Sequence, residues 1–546
     1  MLLILLTCSI WTPALIGLGI PAANLLGRAG GSARIGVANR IAIAGLLGMF
    51  ITSTASAAIN LVVPAFPIVS SGILLCGWCL AIVHRRRWFR WPARAWRRVA
   101  AVMVLIAFID ARGLPCYDTG LYHLQAVRWI TTGPLPRGLA NLFAPLGYNC
   151  GWFTLAAAIE TPLLLGKSCF VINAILTVLL SLPAIDALLR ARRRLIRPDA
   201  VVLASMLIPI IQFGVGGAMI SSLAPDLAVI LIELFSIALW IRSPRFTPHV
   251  FVLCCFAVSI KLSAAPMLGM GILAGLWWIR GGIRDSSAIM IVFVGCLFAG
   301  AIFLARGIWL SGSPAFPSLL GRLPTLAWTS PPHIAISEIH SIQYWSWYQR
   351  DYHTVLPGTP WFGAWIRKVG LSQPMVTVFL IFMLGISAWI IRRPRWTTES
   401  RRAFIAMPYL LPAIAFWFIA APQVRFGEGY LLGEAAVALG IGLTGWTAKM
   451  SSNLHGLIIT TVITAMLLAA RIDRQFFKAR LFSWPAIPVS ALQPHTLLDG
   501  STIWSPNGSD QSWNTPLPTT PDLDPGLQID RNSRGRIYQF RINSSP

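Results

Sequence analysis

Charge is scarce in this 546-residue chain: Asp, Glu, Lys and Arg make up 12% of it, about half their share in an ordinary soluble domain. Acidic residues are the rarest class, 19 against 44 Lys and Arg. So few charges with 56% hydrophobic residues exclude a water-dissolved globule. Also missing are the phosphate-cradling GxxxxGK(S/T), the nucleophile elbow GxSxG and the zinc motif HExxH, which disfavours nucleotide or peptide hydrolysis. None of the nine cysteines has zinc-ligand spacing with histidines nearby. Cys76 and Cys79 form a CxxC inside an apolar run and read as packing residues. Cys116 and Cys150 flank one polar loop; they read either as free thiols or as a disulfide if that loop faces an oxidising compartment. His333, His340 and His353 lack tight ligand spacing, so no dedicated metal site is expected. The first apolar segment lacks a basic leader and a small-residue cleavage site and is expected to stay as a span.

Apolar stretches long enough to cross about 30 Å of hydrocarbon recur from Met1 to Ala470, separated by short polar or arginine-rich connectors. The net charge of +25 therefore reads as membrane orientation rather than nucleic-acid binding, because the arginines abut apolar runs. Three clusters mark the cytoplasmic side: Arg85 to Arg98, Arg190 to Arg197, and Arg392 to Arg402. An even number of crossings must separate clusters on one side. Three apolar runs, near 99–113, 151–166 and 170–189, lie between the first two clusters. The middle run, short and interrupted by Glu160 and Pro162, is expected not to cross. The same parity gives an all-α polytopic protein of about 12–14 transmembrane helices. Residues 1–470 form the transmembrane domain, with large extracytoplasmic loops at 114–169 and 307–370. Residues 471–546 are polar, rich in Pro, Ser, Asn and Asp, and alternate in pattern from Ile537 to Ile542. They suit an extracytoplasmic tail, either a small β-containing appendage or partly disordered.

The richest stretch in candidate chemistry runs from Tyr117 to Ile130, just outside a span, where Asp118, Tyr122 and His123 accompany apolar residues at amphipathic helical spacing. Asp118 can cap the first turn or act as a base, and the two roles are compatible. Arg425, at the external mouth of another span, suits phosphate or can snorkel to the interface; Glu428, three residues on, can pair with it. Asp226 opens a span as a cap or a site residue, and Lys261 lies between two apolar runs at the same face. The second loop gathers Glu338, His340, Tyr344, Trp345, Trp347, Tyr348, Arg350, Asp351 and His353. Aromatics beside polar donors suit a sugar ring, although interfacial belts have the same composition.

An acidic residue opening the first external loop, followed by juxtamembrane helices, resembles the GT-C superfamily of polytopic glycosyltransferases. The segments Tyr117 to Ile130, Gly147 to Phe153, Pro422 to Gly427 and Pro516 to Pro521 resemble a family of bacterial multi-pass membrane proteins with a Tyr-Asp-Thr-x-Leu-Tyr-His motif in that loop. The likeness implies a location in the bacterial inner membrane. It also implies a polyprenyl-phosphate-linked sugar donor, a glycan or lipid acceptor outside the cytoplasm, and Asp118 as the base of an inverting transfer. Tyr122, His123, Asp226, Lys261, Arg350, Arg425 and Glu428 are the expected substrate-binding residues. Any cofactor is unknown, and a divalent cation such as Mg²⁺ or Mn²⁺ is left open. The alternatives are a polysaccharide polymerase or ligase, which would not require Asp118, and a transporter or flippase of lipid-linked sugars, which would call for ionisable residues deep in the spans.

Overall fold

The computed structural model describes the chain apart from residues 31–35, 66, 90–92, 114–115, 162–163, 165, 192–195, 281–284, 351, 357, 394–395, 447–480, 498 and 543–546. The span expected near 454–470, Asp351, Pro162 and Arg90, Arg192, Arg193, Arg194 and Arg395 of the clusters lie outside the described residues. In chain order the main helices are α1 (Leu2–Gly30), α2 (Val37–Ile59), α3 (Ile68–Val83), α4 (Ala93–Asp110), α5 (Leu124–Thr132), α6 (Gly151–Ala158), α7 (Ile172–Ala191) and α8 (Pro198–Ser205). They are followed by α9 (Pro225–Arg242), α10 (Thr247–Ile260), α11 (Met267–Arg280), α12 (Ser286–Ser311), α13 (Pro332–Tyr348), α14 (Gln373–Arg392), α15 (Thr398–Ala420) and α16 (Val424–Gly442).

Local sequence explains where these helices begin and end. Pro198, Pro225 and Pro332 take the first helical position of α8, α9 and α13, where a missing N–H removes no helical bond. Asp285 accepts a bond from the Ala288 N–H to cap α12, and Gly312 ends that helix with φ of 73°. Thr397 and Ser400 exchange bonds in a capping box at the start of α15.

Among the described residues, seven helical stretches are long and apolar enough to cross a membrane: Leu2–Gly30, Val37–Ile59, Ser168–Arg190, Pro198–Gly216, Ser286–Ser311, Gln373–Arg392 and Thr398–Ala420. The protein is thus a multi-pass helical membrane protein, with fewer unambiguous spans among the described residues than the 12–14 expected of the whole chain. Helices α4, α9 and α16 have 18, 18 and 19 residues but carry three or more charged side chains each. The apolar stretches around α3, α10 and α11 are shorter. Among the described residues of the middle run near 151–166, the one helix is the buried eight-residue α6, too short to span.

Helix α9 is buried along its whole length from Pro225 to Ile241 and occupies the centre of the bundle. Helices α12 and α14 instead turn Phe293, Leu297, Phe379 and Leu384 outward, a surface suited to lipid. The arginine-rich regions meet at one end. Asp186 pairs with Arg98 and Arg190 at 3.8 and 2.6 Å, and Asp199 with Arg197 and Arg242 at 2.9 and 3.5 Å. Arg197 also reaches Glu399 at 3.3 Å, and Arg402 donates to the Arg242 carbonyl. An even number of crossings between clusters requires such a meeting.

The two large loops and the tail meet one another. Asn141 donates to the carbonyls of Trp328 and Phe540, and the Trp309 indole donates to the Leu135 carbonyl. The tail contains two antiparallel hairpins, β1 (Leu492–Thr496) with β2 (Thr502–Pro506) and β3 (Leu527–Arg531) with β4 (Ile537–Ile542). The alternating stretch Ile537 to Ile542 is therefore a strand, and an all-α membrane portion carries a small β appendage.

Candidate functional site

Asp118 lies in the first turn of a helical segment that passes through a π-helical turn, Thr119–His123, into α5. Such widened turns are rare and recur at functional sites. The apolar residues Leu124, Val127, Trp129 and Ile130 are buried in protein, with Trp129 against Phe540 of the tail at 5.7 Å. Asp118 makes no side-chain capping bond. Its carboxylate instead accepts a bond from Arg425 Nη1 at 2.7 Å, joining the first loop to the mouth of α16 across 307 residues of sequence.

A second ion pair lies alongside. Lys261, in extended conformation just after α10, donates to Asp226 in the first turn of α9. The Asp226 side chain is 3% exposed, and its charge goes to Lys261 rather than to a helix cap. Phe426 separates the two cations: Lys261 Nζ stands 4.0 Å and the Arg425 guanidinium 5.1 Å from its ring centre. Both distances suit cation–π attraction. Two carboxylates and two cations, carried by four separate segments, thus form one charge-balanced cluster.

Burial opposes ionisation of the Asp118 carboxyl, but the positive charge of Arg425, with a smaller contribution from Lys261, holds it below its ordinary value. Asp118 is accordingly a carboxylate at neutral pH. His123 behaves differently: burial pushes its imidazole down to about 4, so the ring is neutral. Its Nδ1 lies 3.4 Å from Thr119 Oγ1, while Nε2 has no hydrogen-bond partner. The rings of Tyr122, His123, Tyr148 and Phe153 pack together at centroid distances of 4.4 to 6.0 Å, forming an aromatic wall beside the cluster.

Arg425 is held from behind by tryptophans. The Trp365 indole donates to the Pro422 carbonyl and the Trp417 indole to the Gln423 carbonyl, both at 2.7 Å. Gly427 is required there, since a Cβ on it would stand 2.5 Å from the Trp417 ring. The appendage holds the Asp118 segment in turn. Trp513 N–H donates to the Gly120 carbonyl at 2.8 Å, Gln125 to the Trp513 carbonyl at 2.9 Å, and Tyr117 to Asp510. The Trp513 ring lies where a Cβ on Gly120 would stand, at 2.6 Å.

Four of the sequence candidates therefore come together: Asp118, Asp226, Lys261 and Arg425, with Tyr122 and His123 close by. Two do not join them. Glu428 does not pair with Arg425, whose guanidinium turns to Asp118; it is fully buried, and neither carboxylate oxygen has a hydrogen-bond partner. Arg350 is exposed just past α13, with no hydrogen bond or ion pair to the cluster. Cys116 and Cys150 are free thiols. Sequence reasoning missed Phe426, although it adjoins Arg425, and it missed Tyr148 and Arg306. Tyr148 donates to Glu338 of α13, and Arg306, inside an apolar run, could have been flagged as a charge within a span. Among the described residues no group of His, Cys, Asp and Glu is arranged to hold a metal ion.

Helices of this kind, closing over paired charges where their loops gather, define a multi-pass membrane protein with a polar site at one end of its bundle. The chain belongs to the family described as domain of unknown function DUF8201, whose profile matches residues 1–432. That match takes in all four residues of the cluster and leaves the β appendage outside. No curated protein and no solved structure matches the chain.

Proposed function

We propose that this protein is a membrane glycosyltransferase of the GT-C kind, moving a sugar from a polyprenyl-phosphate-linked donor to a glycan or lipid acceptor on the extracytoplasmic side. The observation that carries the reading is the Asp118–Arg425 pair, an ionised carboxylate in contact with a guanidinium where the loops gather. The donor class rests on the resemblance of the loop motif.

In the proposed reaction the Asp118 carboxylate takes the proton of an acceptor hydroxyl as that oxygen attacks the anomeric carbon from the face opposite the phosphate. The bond from the anomeric carbon to the phosphate oxygen breaks, and its electron pair leaves on polyprenyl phosphate. Arg425 and Lys261 neutralise that anion, so no acid is needed to protonate it. A carboxylate held by Arg425 is a weak base at rest. A donor phosphate competes for the same guanidinium, and drawing Arg425 away removes the influence that lowers the Asp118 pKa. Donor binding thereby makes Asp118 a better base when the sugar is in place.

A transporter or flippase of lipid-linked sugars is the second reading, and it has an observation of its own. Glu233, on the central helix α9, lies against Gly429 of α16, and Glu434 is buried on the same helix. Such carboxylates within helices suit ion-coupled transport. The surface-glycan profile of a deletion strain carrying Asp118→Asn separates the readings. Transfer requires loss of the same sugar as in the deletion. A wild-type profile would remove Asp118 as base and favour transport or the polymerase and ligase alternatives.

A further inference from the structure

The turn that leads from Asp118 into α5 is one residue wider than an α-helical turn, and the appendage bonds to the carbonyl this leaves over. In an α-helix the Leu124 N–H would bond to the Gly120 carbonyl; here it reaches past it to the carbonyl of Thr119. The Gly120 carbonyl accepts instead from the Trp513 N–H at 2.8 Å. Residues 510–515 form a strap that grips the segment on both sides of the turn. Before it, Tyr117 donates to Asp510, and Gln511 Nε2 donates to the Tyr117 carbonyl at 3.0 Å. After it, Gln125 Nε2 donates to the carbonyls of Trp513 and Thr515 at 2.9 and 3.2 Å, and Arg128 to that of Asn514 at 2.7 Å. The strap is tied to the appendage just beyond, where Trp504 of β2 donates its N–H to the Pro518 carbonyl and accepts from the Thr520 N–H. Trp513 itself has φ of 43°, a left-handed conformation that a bulky side chain adopts where contacts impose it.

One extra residue in a helix turns everything before it by about 100° relative to everything after it. The part after this turn is fixed, because Leu124, Val127, Trp129 and Ile130 are buried in protein. The direction of the Asp118 side chain is therefore set by whether the turn is π or α, and in the π form its carboxylate meets Arg425 at 2.7 Å. We infer that the 510–515 strap is a positioning element of the Asp118 site: by donating to the Gly120 carbonyl, the Trp513 N–H holds the π turn that aims Asp118 at Arg425. With the strap released, the Leu124 N–H returns to the Gly120 carbonyl, the turn relaxes to α, and Asp118 swings away from the guanidinium. The family profile, which ends at residue 432, takes in the ion pair but not the strap that sets it. The inference concerns the geometry of the pair and is independent of the chemistry the pair serves.

The test is the double-mutant cycle of Asp118→Asn and Arg425→Gln on the purified full chain in mixed micelles at pH 7, repeated in strap variants. In the otherwise unaltered chain the pair is expected to couple by about tenfold or more in the unfolding constant. Trp513→Pro removes the N–H and cannot adopt the left-handed backbone, and the coupling is expected to fall to about twofold or less. Trp513→Asn keeps the N–H and tolerates that backbone, so its coupling stays clearly above that of Trp513→Pro. Gln125→Ala removes the side-chain bonds to the strap from the α5 side and lowers the coupling at least about threefold; it decides the matter if Trp513→Pro does not fold. A merely structural role of the strap lowers stability equally at all corners of the cycle and leaves the coupling unchanged. Full coupling in Trp513→Pro or Gln125→Ala, or a loss in Trp513→Asn equal to that in Trp513→Pro, overturns the inference and leaves the ion pair and the transferase reading standing. Absence of coupling in the unaltered chain overturns the pair and the inference together.

Discussion

Asp118→Asn and Arg425→Gln, made singly and together, measure whether the first loop is held to the mouth of α16 by charge. The pair is in contact at 2.7 Å, with the side chains 22% and 24% exposed, so neither bulk water nor a dry interior describes it. At an effective dielectric of about 20, unit charges about 4 Å apart attract by about 4 kcal/mol, and partial desolvation offsets part of that. A coupling of about 1–3 kcal/mol is expected from the double-mutant cycle, read by denaturant unfolding in mixed micelles at pH 7. The sign with pH follows from Asp118. Its carboxyl titrates below the ordinary carboxylate range in the folded protein, so the coupling is present at neutral pH and is lost only as pH falls through the lowered pKa. Additive single effects within about 0.5 kcal/mol at pH 7 would refute the pairing. A coupling already lost between pH 5 and 7 would refute the lowered pKa.

His123 predicts a separate pH effect. Its ring stays neutral in the folded protein down to about 4, whereas an unfolded histidine takes a proton near 6.5, so stability is complete above 6.5 and falls as pH drops from there to 4. His123→Gln should remove about 3 kcal/mol of that pH dependence; an unchanged slope of stability against pH between 4 and 6.5 would show that His123 is not buried as described. Gly120→Ala should push Trp513 off the Asp118 segment at a cost of about 1–3 kcal/mol. Limited proteolysis then cuts the appendage faster, and unaltered cleavage would mean that the appendage is held elsewhere. Trp417→Phe removes the 2.7 Å indole bond behind Arg425 and should cost about 1 kcal/mol, with no loss expected if that bond is weak in the membrane.

The membrane class was legible because burial in lipid leaves a coarse signature, with long apolar runs between arginine clusters. Parity of those clusters singled out 151–166 as a run that does not cross, and among its described residues the helix is only eight residues long. Span counting was less secure where charges enter the bundle: α9 and α16 carry Asp226, Glu233, Arg425, Glu428 and Glu434, which lower the apolar signal of these helices. Residue type and position at a span mouth found Asp118, Asp226, Lys261 and Arg425, but not who pairs with whom. Spacing along one helix suggested Arg425 with Glu428. The actual partner, Asp118, comes from another segment, and only the folded bundle brings it within reach. Cap readings of Asp118 and Asp226 failed for the same reason, because a distant cation competes successfully with the local backbone. Phe426, Tyr148 and Arg306 carry no local motif, and their importance is a matter of what surrounds them.

The central claim is tested most directly on the donor side, by mass spectrometry of polyprenyl-phosphate-linked sugars extracted from a deletion strain complemented with wild type or Asp118→Asn at matched protein levels. The account predicts that one donor species accumulates in the Asp118→Asn strain to the level of the deletion and returns to baseline with wild type. A donor pool in Asp118→Asn indistinguishable from wild type, while the deletion accumulates it, would contradict the assignment of Asp118 as the base of sugar transfer.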